Sequence, residues 1–381
     1  MKKQIDIGIL TYHYAHNYGA VLQSFALKEY LLKKVRHVTI INYKNPFVEQ
    51  GYSKNLFKPY LRRSLLSMES KMSIIKGMIK LLWVQPSWST QHKKFEQFIS
   101  SVLLDGDDKA VSPDEIGELK VDLFIAGSDQ IWNKNLTNGY DDIYFLNFNT
   151  STEKAFYAVS DGNNLVTTDN LPYYSLVLKS IDNISTRESS LADDINKKLS
   201  KHACGVVDPV FLLSKDDYVS IFKLRKQKKI LFAYFIVEDD FLSQVAEVIA
   251  RALNLEIIEL HYYKHRRMKK NQRADMGPID FLNCIYNSDF IVTNSFHGTA
   301  FSIIFNKQFY SVYQNDARKD NLLEQFGLQS RHIKNCFDID LRRSIDYSLI
   351  DLNTYNQDSR RYLERVIMAT AGDGDKDVFG Y

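Results

Sequence analysis

A strand, a helix and a second strand follow one another within the first 43 residues, and this order constrains the fold most. "IDIGIL" (Ile5–Leu10) reads as a buried strand. "GAVLQSFALKEYLLKK" (Gly19–Lys34) puts Leu22, Phe25, Ala26 and Leu31 at helical spacing, and "VTIINY" (Val38–Tyr43) is strand again. Two strands joined by a crossover helix pair in parallel, so an α/β protein with a parallel sheet is expected.

The alternation continues. "VDLFIAG" (Val121–Gly127) and "KAFYAVS" (Lys154–Ser160) read as further strands of the first sheet. "DNISTRES" (Asp182–Ser189) reads as a strand running into a helix that opens a second half. "KILFAYFIV", "LEIIEL", "DFIVT" and "QFYSVY" are its strands, with helices between them over Asp240–Leu253, Gly277–Ser288 and from Gly298. Turn residues gather between Asp161 and Asp182 and mark the expected boundary. The expected domains are residues 1–165, an N-terminal α/β domain, and 180–340, a C-terminal α/β domain. A last helix and tail occupy 341–381, and that helix is expected to cross back onto the first domain. A chain of 381 residues is long for one core, which agrees with two domains.

Three cysteines, Cys204, Cys284 and Cys336, lie far apart without a CxxC pair, which speaks against a disulfide framework and a structural zinc site. No stretch reaches roughly 18 uninterrupted apolar residues. The N-terminus reads as a strand rather than a signal peptide, and a cytoplasmic location is expected. A net charge of +3 gives no reason to expect nucleic acid as partner.

One segment departs from this balance. Residues 54–94, placed in the first domain, carry nine Lys or Arg and one acid, Glu69. Leu61, Leu65, Met68, Met72, Ile75, Ile79 and Leu82 recur every three or four residues, with Trp83 and Trp88 at the end. One reading is a solvated helix packed on its own domain. The sharper reading is contact with an anionic lipid surface or lipid-linked substrate at the inner face of the membrane.

Ligands of parallel α/β sheets bind beyond the carboxyl ends of the strands. Three such ends carry polar loops here. "TYHYAHNYG" offers His13, His16 and Asn17; "AGSDQIWN" offers Asp129, Gln130 and Trp132; "TNSFHGT" offers Asn294, Ser295, His297, Gly298 and Thr299. Helix N-termini follow the first and third and favour an anion. A fourth, "ISTRES", presents Arg187, a side chain suited to carboxylate or phosphate but equally able to pair with Glu188. The ring of His297 can give a proton or bind an anion near neutral pH; a capping or core histidine is the plainer reading. Asp129 is a hydroxyl acceptor or base, or else a turn aspartate. Trp132 stacks on a sugar or belongs to the core. His13 and His16 have no acidic or thiol partner within their loop, so no metal is expected. GxGxxG, GxxxxGK[ST] and GxSxG are all absent.

In order, "IGILTYHYAHNYGAVLQSFAL", "DLFIAGSDQIWN", "ISTRESS", "VVDPVFLL", "GPIDFLNCIYNSDFIVTNSFHGTAFSIIFNKQF" and "DNLLEQFGL" resemble the polysaccharide pyruvyl transferase family over about Gly8 to Leu328. The resemblance implies two Rossmann-like domains facing a cleft, as in GT-B glycosyltransferases. It implies phosphoenolpyruvate as donor substrate, no cofactor, and a hexose of a surface polysaccharide as acceptor, galactose-type favoured. A lipid-linked oligosaccharide is the expected form of the acceptor. The product is a pyruvate ketal and phosphate is released. The family's "HG" histidine corresponds to His297 and its donor-binding arginine to Arg187, in the second domain. On this reading His297 is catalytic. Asn294, Ser295, Gly298, Thr299 and Arg187 hold the donor, and His13, Asn17, Asp129, Gln130 and Trp132 hold the sugar. Relatives often carry arginine two residues before the motif histidine, where this chain has Ser295. Arg266, Arg267, Arg273 and Arg318 are candidates to supply that charge, with Arg273 assigned to the donor side. A GT-B glycosyltransferase with a nucleotide-sugar donor and a non-catalytic sugar-binding protein of the same fold are the competing readings.

Overall fold

The structure, a computed structural model, describes residues 2–52, 54, 56–57, 60, 71–162, 165–226, 229–237, 239–261, 270–312 and 317–372. The chain divides into two compact units. One comprises Met1–Tyr52, Phe98–Leu213 and Leu352–Tyr381, the other Ser53–Gln97 and Ser214–Asp351.

The first unit is built on a parallel sheet of six strands in the order β2-β1-β3-β4-β5-β6. These are β1 (Lys3–Leu10), β2 (Val35–Ile40), β3 (Leu123–Ala126), β4 (Glu153–Val159), β5 (Asn183–Thr186) and β6 (Cys204–Gly205). All four residues of β3 are buried, as are Ile5, Ile7, Ile9 and Leu10 of β1, because a parallel sheet is covered on both faces. Helix α1 (Tyr18–Leu32) makes the first crossover and is buried nearly all round. Its one buried cation, Lys28, is satisfied by the carbonyls of Val102 and Leu103 and by Asp105 at 2.6 Å. Three acceptors match the three ammonium donors, which is what makes the burial tolerable.

The boundary expected between Asp161 and Asp182 is not there. Strand β5 pairs with β4 through Ala155↔Asn183 and Phe156↔Ile184, so "ISTRES" continues the first sheet instead of opening a second. From Phe98 the chain stays in the first unit as far as Leu213. Turn residues mark a loop, but they do not say which sheet the next strand joins. The helix after β5, α2 (Ser189–Leu199), buries Leu191, Ala192 and Ile195 on one face.

The second unit carries another parallel sheet, ordered β12-β11-β10-β7-β8-β9. Its strands are β7 (Ile230–Tyr234), β8 (Glu256–Leu260), β9 (Gln272–Arg273), β10 (Ser288–Thr293), β11 (Gln308–Val312) and β12 (His332–Ile333). Helix α3 (Asp240–Leu253) starts at the Asp239 cap, which accepts from the amides of Phe241 and Leu242. It lays Leu242, Val245, Ala246, Ile249 and Ala250 into the core. Helix α4 (Pro278–Asn287) opens where Asp280 accepts the Gly277 amide at 2.9 Å. Helix α5 (Phe296–Ile304) follows β10 directly.

The basic segment forms a long helix, Lys71–Phe98. Its residues up to Gln97 group with the second unit, not the first as expected. Leu61, Leu65 and Met68 of that expectation lie outside the described residues. The C-terminal helix, Gln357–Thr370, returns to the first sheet: Tyr362 donates to the Phe156 carbonyl at 2.8 Å, and Ser359 Oγ accepts the Val207 amide at 2.9 Å. All three cysteines are free thiols. Among the described residues no helix is long and apolar enough to cross a membrane.

Candidate active site

The carboxyl ends of β1, β3, β4 and β5 converge on one edge of the first sheet. Arg187 follows β5, and its buried guanidinium meets three carboxylates: Asp208 at 3.2 Å, Glu188 at 3.4 Å and Asp129 at 3.9 Å. Burial pulls its pKa down, but the charges of Glu188, Asp208 and Asp129 outweigh it and hold the pKa above the ordinary value. Three acids around one guanidinium leave an excess of negative charge in a poorly solvated place. Of the three, Asp129 is the most open, with 19% of its side chain accessible against 11% and 1%.

Asp129 is held in position by its backbone. Its φ is +73°, in the left-handed region, and its Oδ1 accepts from the Gln130 amide at 2.8 Å. The residue two before it, Gly127, has φ +144°, and a Cβ there would lie 1.9 Å from the Tyr157 carbonyl. No other residue type fits that close approach. Gln23 of α1 adds a support that sequence reasoning missed. Its Nε2 donates to Thr11 Oγ1 at 2.9 Å, and its Oε1 accepts the Ser128 amide at 3.2 Å, tying the first loop to the second. A glutamine among the apolar residues of a largely buried helix was the available signal. Ser160, also missed, donates to Glu188 at 2.8 Å.

In the second unit β10 ends at Thr293 and α5 begins three residues later. Ser295 caps α5 by accepting the Gly298 amide at 3.1 Å. Thr293 Oγ1 donates to the Tyr234 carbonyl at 2.9 Å and accepts the Ser295 amide at 3.0 Å. Gly298 packs on this threonine so closely that a Cβ would sit 2.4 Å from Thr293 Oγ1. The joint therefore requires glycine directly behind His297, whose ring is half-buried in the first turn of α5, edge-on to Phe296 at 5.1 Å. Arg318 places its guanidinium 5.7 Å from the centre of the Phe296 ring. Lys319, fully buried, donates to the Asn294 carbonyl at 3.0 Å.

Several expected contacts become structural ones. Trp132 is 1% exposed, stacked on Phe145 at 4.8 Å and edged by Phe156 and Tyr174, so it is core and offers no face to a sugar. His13 is wholly buried, its ring nitrogens bonded to Thr11 O and Asn42 Oδ1, both at 3.1 Å. Asn17 is the α1 cap, accepting from the amides of Gly19 and Ala20. Gln130 takes a bond from Asn133 at 2.8 Å and stays half-buried.

On the other sheet, Asn294 accepts from Ile236 N at 2.9 Å and donates to Val237 O at 3.0 Å. Thr299 is buried and returns its hydroxyl to the Ser295 carbonyl. With Ser295 also buried as a cap, these polar groups build the turn rather than face outward. Arg273 is paired with Asp275 at 2.8 Å and sits on β9, three strand positions from β10. Arg266 and Arg267 lie outside the described residues. Arg187 belongs to the first unit, not to the second with His297. One further pair was missed: His261, just after β8, meets Glu259 of that strand at 3.0 Å, both buried, with Phe235 stacked on the ring at 4.5 Å.

A family model described as polysaccharide pyruvyl transferase matches residues 17–316, well over half of the chain. The chain belongs to the polysaccharide pyruvyl transferase family. It is therefore a pyruvyltransferase enzyme acting in polysaccharide biosynthesis. No curated protein matches this pyruvyltransferase in sequence. Among solved structures it is similar to a UDP-N-acetylglucosamine 2-epimerase, at 12% identity over all of both chains with a TM-score of 0.51. The Rickettsia bellii UDP-N-acetylglucosamine 2-epimerase aligns at 11% identity over 99% of each chain, with a TM-score of 0.42. An E. coli heptosyltransferase with ADP aligns at 10% identity over 94% of this chain and 100% of its own, with a TM-score of 0.38. The first of these likenesses agrees with the two Rossmann-like sheets of the pyruvyltransferase.

Proposed function

We propose that this pyruvyltransferase takes its pyruvyl group from phosphoenolpyruvate and builds a ketal on a hexose, galactose-type favoured, of a surface polysaccharide repeat unit. The acceptor is carried on a lipid, and the enzyme works in the cytoplasm at the inner face of the membrane. No cofactor takes part. The observation that carries this reading is the half-buried His297 ring at the N-terminal turn of α5, on the carboxyl edge of the second sheet. A helix start favours the donor's anionic groups, and an imidazolium there supplies a proton.

The chemistry follows from these groups. His297 protonates the methylene carbon of the donor, which becomes the methyl group, and C2 turns cation-like. A sugar hydroxyl adds to C2 and gives its proton to the now neutral His297. The C2–O bond to phosphate then breaks, and a second hydroxyl closes the ring. Its proton leaves with the phosphate, so two hydroxyl protons account for the new methyl hydrogen and for hydrogen phosphate. Arg318 supplies the positive charge that Ser295 lacks, because it is the arginine held over the residue next to His297. Arg187 is a positioning residue: it orients Asp129 through the carboxylate cluster.

The test is phosphate release from phosphoenolpyruvate with and without a galactoside or a lipid-linked sugar, with product mass read in parallel. Acceptor-dependent phosphate and the mass gain of a ketal are expected. Loss by about 10²–10⁴-fold in His297→Gln is expected for a general acid. Phosphate release that ignores every acceptor, or a His297→Gln variant with full turnover, would overturn the reading.

A further inference from the structure

The long helix carries two apolar faces. One is turned inward: Ile74, Gly77 and Leu81 are half-buried, and Val84 and Trp88 are 5% and 2% exposed. The other is open. Met72 (63% exposed), Ile75 (51%), Met78 (38%), Ile79 (52%), Leu82 (63%) and Trp83 (53%) recur at three- and four-residue spacing and form one continuous stripe. Exposed apolar residues are common singly, but six in three turns of one helix face are a patch. Lys76 and Lys80, both exposed, border the stripe. Between Lys71 and Lys94 the sequence contains no acid. Pro86 lies inside the helix just beyond Trp83, where it removes the amide that would bond the Leu82 carbonyl.

We propose that this face is a membrane-docking surface that lies in the headgroup region of an anionic bilayer. Two features select lipid over a protein partner. The stripe is one helix wide, so it offers roughly 600 Å² against the roughly 800 Å² per side of an ordinary protein interface. Among the described residues of the helix its rim is of one sign, basic and without acids, which matches an anionic headgroup plane; a protein rim is usually of mixed charge. The apolar row, bordering lysines and a tryptophan at the end are the features of a helix lying in the interfacial plane. The surface deepens the reading of a lipid-linked acceptor, since it would hold the enzyme where that acceptor resides. Docking requires no turnover, so the two ideas fail separately.

The experiment is flotation of the full chain with vesicles of phosphatidylcholine alone or with phosphatidylglycerol, with tryptophan emission read alongside. Trp83 is the exposed one of three tryptophans, Trp88 and Trp132 being buried, so it reports insertion directly. The wild type should float with the anionic vesicles only, and its emission should shift to the blue. Ile79→Ser/Leu82→Ser should weaken partitioning at least tenfold. Lys76→Gln/Lys80→Gln should weaken it about fivefold per lysine. Both variants should keep the wild-type circular dichroism and phosphate-releasing activity on a water-soluble acceptor. Wild type that stays with the unbound protein at every lipid composition would overturn the proposal. So would a blue-shifted Trp83 in lipid-free dimers that Ile79→Ser/Leu82→Ser converts to monomers, which would assign the face to a second copy of the chain.

Discussion

Arg187 Nη1 lies 3.2 Å from Asp208 Oδ2, with 5% and 1% of the two side chains accessible. The pair ties the turn after β5 to the segment after β6. Removing the guanidinium would leave Asp129, Glu188 and Asp208 facing one another in a buried place. Arg187→Ala is therefore expected to cost about 3–5 kcal/mol of stability in addition to activity. Arg187→Ala/Asp208→Asn should recover part of the stability without recovering turnover. Thermal melting beside phosphate release separates the two effects; a stable but inactive Arg187→Ala would show that the arginine binds substrate instead.

Much of this edge could be read from the chain, and the unread part has a physical reason. The strand–turn–helix joint at His297 is local, so a few residues of context reveal it. Asp129 stands in a loop that ends a clear strand. The role of Trp132 was not local, because Phe145, Phe156 and Tyr174, which enclose it, arrive from later elements. The same is true of Asp208, which reaches Arg187 from 21 residues further along. The assignment of β5 to the first sheet depends on a pairing register, which turn composition does not encode. Asn294, Ser295 and Thr299 are buried because short polar side chains beside a helix start satisfy nearby backbone amides and carbonyls first.

Gly298 is tested by its Cβ. Thr293 cannot swing aside, since its hydroxyl is bonded to both Tyr234 and Ser295. Gly298→Ala should cost about 1–3 kcal/mol and displace the His297 ring. Thr293→Ala removes the clashing atoms but leaves polar partners unpaired. The double variant should thus be less unstable than the sum of the two singles. Additive losses in a denaturant titration would show that the glycine answers to some other contact.

Arg318 and Arg273 can be told apart by kinetics. Arg318→Ala should raise KM for phosphoenolpyruvate about 10–100-fold, the scale of a lost charge-assisted bond, with a smaller effect on kcat. Arg273→Ala should change either constant by no more than about twofold, because its guanidinium is already engaged by Asp275 on an accessible surface. The reverse ranking would return the donor's charge to β9.

The thiols give a prediction on the second unit's core. Cys336 is exposed, Cys204 is half-buried with its pKa raised by burial, and Cys284 is buried with its pKa pushed up to about 12, first by burial and then by Asp280. Alkylation of the native protein at about pH 8 should label Cys336 first and leave Cys284 to last. The stability sign also follows. The folded pKa of Cys284 lies above its unfolded value of about 8.5, so the unfolded chain releases its proton first. The stabilisation from a neutral buried thiol is full below about pH 8.5 and falls as pH rises towards 12. Denaturant midpoints should decline over that range, and more steeply in wild type than in Cys284→Ala, whose tyrosines titrate alike. Equal slopes, or early labelling of Cys284, would mean that α4 opens far more readily than its packing implies.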